Sequence, residues 1–145
     1  MDNSQNLNQI ENFQVTKKIE FCYGHRLINY EGKCKYLHGH NGIIEIDIES
    51  SKLNKDSMVI DFNDIAQIAK SWINDNIDHK MILSKKDGII STFKENGEPM
   101  YIIDGNPTAE NIAKHIFHSL YSLGLNIIEL RLWETPNSRA SYRKK

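Results

Sequence analysis

The sequence predicts an α+β domain: an antiparallel four-stranded sheet with two helices on one face, in the order β-β-α-α-β-β. Three observations carry this. Two stretches early in the chain alternate apolar and polar residues, as half-buried strands do. Two stretches in the middle repeat apolar residues at helical spacing, and alternation returns near the end. At 145 residues the chain is the size of one domain with a real core. That domain is assigned to residues 13–145, after a polar, Asn/Gln-rich extension over residues 1–12.

The first strand runs from Phe13 to Tyr23. Phe13, Val15, Ile19, Phe21 and Tyr23 share one parity, interrupted by Lys17, and His25 continues it. In the second, Ile44, Ile46 and Ile48 alternate with Glu45, Asp47 and Glu49. Asp61 offers an N-cap to a helix whose stripe is Phe62, Ile65, Ala66, Ala69, Trp72 and Ile73. A loop beginning near Asp78-His79 leads to Ile89-Ile90 and Tyr101-Ile102-Ile103. The Asn96-Gly97 pair between them predicts a small hairpin. Asn106-Pro107 opens a second helix, striped by Ala109, Ile112, Ala113, Ile116, Phe117 and Leu120 and stopped by Gly124. Ile128, Leu130 and Leu132 form a third strand, and a basic tail from Ala140 to Lys145 adds a last one. Two helices cover one face of such a sheet. Its other face and its edges call for a partner, so a homo-oligomer is expected.

Composition narrows the function. The net charge is −1, with acidic and basic residues interspersed, so no basic field for nucleic acid or anionic lipid is present. No run approaches membrane-spanning length, and residues 1–12 lack an apolar signal stretch. Cys22 and Cys34 have neither CxxC spacing nor a disulfide-rich context, which points to a reducing, cytoplasmic setting.

The most informative segment is Cys34-Lys-Tyr-Leu-His38-Gly-His40, with His25 a short loop upstream. In extended chain, His38 and His40 point to the same side. Three imidazoles suit zinc and leave a fourth tetrahedral position open for water or substrate. Cys34 can instead close a Cys/His₃ site, or serve as a thiolate base favoured by Lys33 and Lys35. Asp78-His79 reads either as an Asp orienting a His in a proton relay or as a solvated helix end. His115 and His118 fall off the apolar stripe and read as surface residues. Glu134 lies in phase with Ile128, Leu130 and Leu132, so it faces desolvation unless paired. Its partner is either a ligand with two adjacent N–H groups or an arginine such as Arg131 or Arg139.

These blocks, with Met58-Val-Ile-Asp61-Phe62 and Pro107-Thr108-Ala-Glu110-Asn111, resemble in order the 6-pyruvoyl-tetrahydropterin synthase family. The nearest resemblance is to its bacterial 6-carboxy-tetrahydropterin synthases of queuosine biosynthesis, over about residues 13 to 143. The resemblance implies a tunnelling fold, in which subunits join their sheets into a barrel as trimers and two trimers stack as a homohexamer. It implies active sites at subunit interfaces and a pterin triphosphate substrate. His25, His38 and His40 would hold Zn²⁺, Cys34 would be the catalytic base, and Asp78 with His79 its proton-transfer partners. Glu134 would hold the amino-pyrimidine edge, with Thr108 also at the pterin. The chain departs from the family at Cys22-Tyr23-Gly24, where many members carry small alanines. Its stretch from Ser84 to Gly105 is also longer than in compact bacterial members. The expected reaction is a zinc-dependent lyase acting on 7,8-dihydroneopterin triphosphate. It yields either 6-carboxytetrahydropterin with acetaldehyde or, stopping earlier, 6-pyruvoyl-tetrahydropterin. A non-catalytic zinc- or pterin-binding protein on the same fold is the alternative of another class.

Overall fold

The period-2 rows of the sequence become a long hairpin. In a computed structural model that describes residues 11–145, β1 (Phe13–His25) and β2 (His38–Ser50) pair antiparallel along their whole length. Phe13 stands opposite Ser50 at one end and His25 opposite His38 at the other. β5 (Ile127–Thr135) pairs with β2, and β6 (Ser138–Arg143) with β5, both antiparallel. These four are the expected strands, contiguous and antiparallel as expected. Residues 1–10, most of the expected polar extension, lie outside the described residues.

The sheet is nevertheless six-stranded and mixed, not a four-stranded antiparallel one. β3 (Lys80–Ser84) and β4 (Met100–Ile103) extend it beyond β1, giving the order β4-β3-β1-β2-β5-β6. β3 runs parallel to β1, and β4 parallel to β3. Parallel neighbours need a crossover rather than a tight turn. The segment expected as a hairpin is therefore a short third helix, α2 (Ile90–Glu95), joining β3 to β4. Asn96 caps its C-terminus and Gly97 follows at φ +71°, so the Asn-Gly pair ends a helix instead of turning a hairpin.

α1 (Phe62–Asn76) and α3 (Ala109–Ser122) are the two expected helices. Asp61 accepts the Asn63 N–H and Thr108 accepts the Asn111 N–H, so Thr108 is the N-cap of α3 and Pro107 precedes it. Ile65, Ala69 and Ile73 of α1, and Ile112, Ile116, Phe117 and Leu120 of α3, bury against one face of the sheet. That face carries Ile19, Phe21 and Tyr23 on β1, Ile44, Ile46 and Ile48 on β2, and Leu130 and Leu132 on β5. Phe62, expected in the stripe of α1, is half exposed. The opposite face is a charged lattice in which Arg131 donates to Asp47 (2.8 Å) and Glu45 (2.9 Å), and the Trp133 indole also donates to Glu45.

Candidate functional site

The buried rows of β1, β2 and β5 do not stop at the edge of the core; they run on into polar residues. On β1, Ile19-x-Phe21-x-Tyr23 leads to His25, which is 3 % exposed. On β2 the same row, followed back from Ile44, reaches Gly42, His40 and His38, and on β5 Leu130 and Leu132 lead to Glu134. Gly42 is needed in this row, because a Cβ there would stand 2.9 Å from the Tyr23 ring.

The register makes His25 and His38 direct cross-strand partners and puts His40 opposite Tyr23. Ring centroids of His25 and His38 are 4.5 Å apart, and those of His40 lie 5.1 Å from each. One nitrogen from each of the three lies within 4.8 Å of the others, and among the described residues Cys34 is not part of that group. His25 Nδ1 bonds the Pro107 carbonyl and His38 Nδ1 the Tyr36 carbonyl, both at 2.7 Å. A carbonyl only accepts, so each Nδ1 carries the proton and each Nε2 keeps its lone pair. His25 Nε2 and His40 Nε2 face one another at 3.1 Å. Two nitrogens on one tetrahedral zinc stand roughly 3.3 Å apart. Burial lowers the His25 pKa, against the opposing pull of the Pro107 bond and the Glu134 charge, and so favours the neutral form that binds metal. The donor set fits a zinc ion with a position left open.

Glu134 Oε1 stands 3.8 Å from His25 Nε2, with the side chain only a quarter exposed. Neither arginine weighed as its partner takes that place: Arg131 is spent on the other face of the sheet, and the Arg139 guanidinium stacks over Trp133 at 5.1 Å. Tyr23, which sequence reasoning treated only as core, brings its hydroxyl toward Glu134. That hydroxyl is buried and has no hydrogen-bond partner among the described residues. Burial, with the Glu134 charge, pushes its phenol above the ordinary value.

Cys34 lies on an exposed 3₁₀ turn, Lys33–Lys35. It borders a cleft of about 230 Å³ with His25, Leu27, Thr108, Glu134 and Arg139. His25, the Cys34 thiol, the Glu134 carboxylate and Thr108 therefore share one cleft. Asp78 and His79 are elsewhere. Asp78 accepts the Cys22 N–H and lies 2.9 Å from His79 Nδ1, while the His79 N–H donates to the Cys22 carbonyl. Burial acts against the Asp78 charge, but bonds from Cys22 and His79 outweigh it and hold the carboxyl below its ordinary value. His79 adopts φ +57°, a left-handed conformation unusual for a residue with a Cβ, and its side chain is 78 % exposed. It borders a larger cavity of about 550 Å³ with Cys22, His38, Met81 and Phe93. Phe93 belongs to the longer stretch from Ser84 to Gly105. Asp78 is thus placed to orient His79, and His79 and Cys34 open onto different cavities of the same chain.

One reading is corrected. His115 is half-buried, bonded to the Tyr101 hydroxyl at 2.6 Å and packed beside Trp72, so it is not a surface residue. Arg26 is paired with Asp87, which is 3 % exposed. Lys80 bonds the Asp75 carbonyl, while Lys33 and Lys35 remain exposed beside Cys34.

Comparison with known proteins agrees with this geometry. The profile of the 6-pyruvoyl tetrahydropterin synthase family matches residues 14–145. The chain belongs to the 6-pyruvoyl tetrahydropterin synthase family. It is 43 % identical over 131 residues to a 6-carboxy-5,6,7,8-tetrahydropterin synthase of Rickettsia felis, covering 86 % of this chain and 95 % of that one. It is 33 % identical over 140 residues to the Haemophilus influenzae protein of the same name, covering 91 % and 99 %. Among solved structures, an uncharacterized protein from Wolinella succinogenes superposes with a TM-score of 0.80 at 25 % identity, covering 93 % of this chain and 99 % of that one. The 6-pyruvoyl tetrahydropterin synthase of Caenorhabditis elegans superposes at 0.70, with 21 % identity and 93 % and 97 % coverage, a likeness of fold.

Proposed function

We propose that this family member is a zinc-dependent 6-carboxy-5,6,7,8-tetrahydropterin synthase. It converts 7,8-dihydroneopterin triphosphate, with water, to 6-carboxytetrahydropterin, acetaldehyde and triphosphate, as a step of queuosine biosynthesis. The observation that carries the reading is the single cleft in which His25, Cys34, Thr108 and Glu134 meet, with Glu134 3.8 Å from a histidine of the metal triad. Identity to relatives named for the carboxy-forming reaction supports that product over the pyruvoyl one.

His25, His38 and His40 would hold the zinc. Bound there, zinc supplies a Lewis acid that polarises the substrate's side-chain hydroxyls and acidifies the adjacent C–H bonds. Glu134 accepts two N–H groups of the pterin edge, which turns the side chain toward the triad. Cys34, as thiolate, takes a proton from a side-chain carbon. His79, held by Asp78, gives one back during the internal redox shift, and triphosphate leaves. Because His79 opens onto a different cavity from Cys34, the reading places His79 of one subunit beside Cys34 of the next in a homohexamer of two stacked trimers.

The test is incubation of zinc-loaded protein with 7,8-dihydroneopterin triphosphate and identification of products by mass. Acetaldehyde with the carboxy product is expected. A pyruvoyl product without acetaldehyde assigns the earlier-stopping reaction. Zinc and pterin binding without turnover would reduce the protein to a binding module.

A further inference from the structure

The loop from Arg26 to Leu37 carries Cys34, yet none of its residues is fully buried, and Tyr30, Tyr36 and Leu37 are exposed. Apolar packing therefore does not set where the thiol sits. Hydrogen bonds do: Arg26 ties the start of the loop to Asp87, and the next tie to the rest of the chain is made by one side chain. The Asn106 carboxamide accepts the Ile28 N–H at 2.8 Å and donates to the Ile28 carbonyl at 3.0 Å, as a neighbouring strand residue would. Next to Ile28, the Leu27 N–H donates to the Cys34 carbonyl at 2.8 Å, closing the loop onto itself. Next to Asn106, the Pro107 carbonyl receives His25 Nδ1–H, and Thr108 caps α3 at the cleft. The Asn106 backbone is itself fixed, since its carbonyl accepts the Asn111 side-chain N–H at 2.9 Å and the Thr108 N–H at 2.8 Å.

We propose that Asn106 is a positioning residue of the active site, its carboxamide locking the Cys34 loop against the start of α3 and so setting the thiol's place relative to the histidine triad. The inference rests on the proposed function only for the reaction being timed; the locking itself concerns this chain's own loop. The asparagine is required by chemistry. Only a side-chain amide offers one donor and one acceptor side by side at this reach. Alanine leaves both Ile28 groups without a partner. Aspartate keeps the acceptor and sets a second oxygen against the Ile28 carbonyl. A base held in the wrong place loses rate rather than substrate affinity, since the groups that grip the pterin, Glu134 and Thr108, do not hang from this loop.

The experiment compares wild type, Asn106→Ala and Asn106→Asp, all loaded with zinc and checked for one zinc per chain. Amide hydrogen exchange is read over residues 27–37 and, as reference, over the β1–β2 ladder and α1. Expected in Asn106→Ala is exchange about tenfold faster in the loop with the reference segments unchanged, and kcat lower by about tenfold with KM nearly constant, the size usual for groups that orient a ligand from behind. Asn106→Asp should fall between the two. Loop exchange and kcat at wild-type levels would overturn the proposal, as would exchange that rises equally in every element. If wild type itself shows no turnover, the reaction assignment fails, and the loop exchange still decides the role of Asn106.

Discussion

His25, His38 and His40 meet because side chains on a strand repeat every second residue and because the β1–β2 register sets His25 opposite His38. The parity half of that argument is visible in the sequence; the register half is not, since it depends on how β1 and β2 align across a loop. Glu134 was readable in the same way, as a carboxylate in an aliphatic row. Tyr23 and Asn106 were not, because an aromatic residue in a strand and an asparagine before proline each have an ordinary explanation that suffices. Two outcomes test the residue roles. Cys34→Ala should keep its zinc and its fold and lose turnover by on the order of 10²–10⁴, the loss for a positioned base; metal content measured beside activity checks it, and near-normal turnover would remove Cys34 as the base. Glu134→Gln places a donor against the ligand's N–H. Pterin affinity should weaken by about 2–5 kcal/mol with zinc binding intact, read by calorimetric titration with a pterin analogue. Unchanged affinity with a lowered melting temperature would make Glu134 a structural residue instead.

At the scale of elements, amphipathic patterns were legible and short buried ones were not. β1, β2, α1, α3, β5 and β6 each show one wet and one dry face. β3 does not: Ile82, Leu83 and Ser84 are all buried between β1 and β4, so Lys80–Ser84 carries no alternation to read. α2 and β4 are only six and four residues long, too short for a period to declare itself. This extension has a cost in pH range. β4 meets α1 and α3 through Tyr101, Trp72 and His115, and the Tyr101 hydroxyl bonds His115 Nε2. Burial, with the nearby His118 charge, lowers the His115 pKa from its ordinary 6.5. A histidine depressed in the folded state binds its proton more readily when unfolded. Its penalty is therefore absent above about pH 6.5 and grows as pH falls through that value toward the lower folded one. Melting temperature should decline between pH 7 and pH 5, and His115→Gln should flatten the decline. Parallel slopes for the two proteins would show that His115 does not titrate with unfolding.

The whole molecule raises a question that no single residue answers. Among the described residues no strand pairs with the outer edges of β4 and β6, and the sheet face without helices carries the paired charges of Arg131, Asp47, Glu45 and Glu129. Open edges are what closed rings of subunits pair. Cys34 faces one cavity and His79 another within the same chain, the arrangement expected if a reaction that needs both draws them from two chains. The consequence is measurable without seeing the assembly. Cys34→Ala and His79→Ala should each be nearly inactive alone. If each site takes its thiol from one subunit and its imidazole from the next, co-refolding equal amounts of the two variants assembles some sites with both groups intact. In a ring filled at random, roughly a quarter of the sites qualify, and activity should return to about that share of wild type. Recovery has to depend on co-refolding, because folded variants mixed without exchange keep their defects. Two inactive variants that stay inactive after co-refolding would place Cys34 and His79 in the site of a single subunit, and would require the exposed His79 to swing across its own chain to reach the thiol.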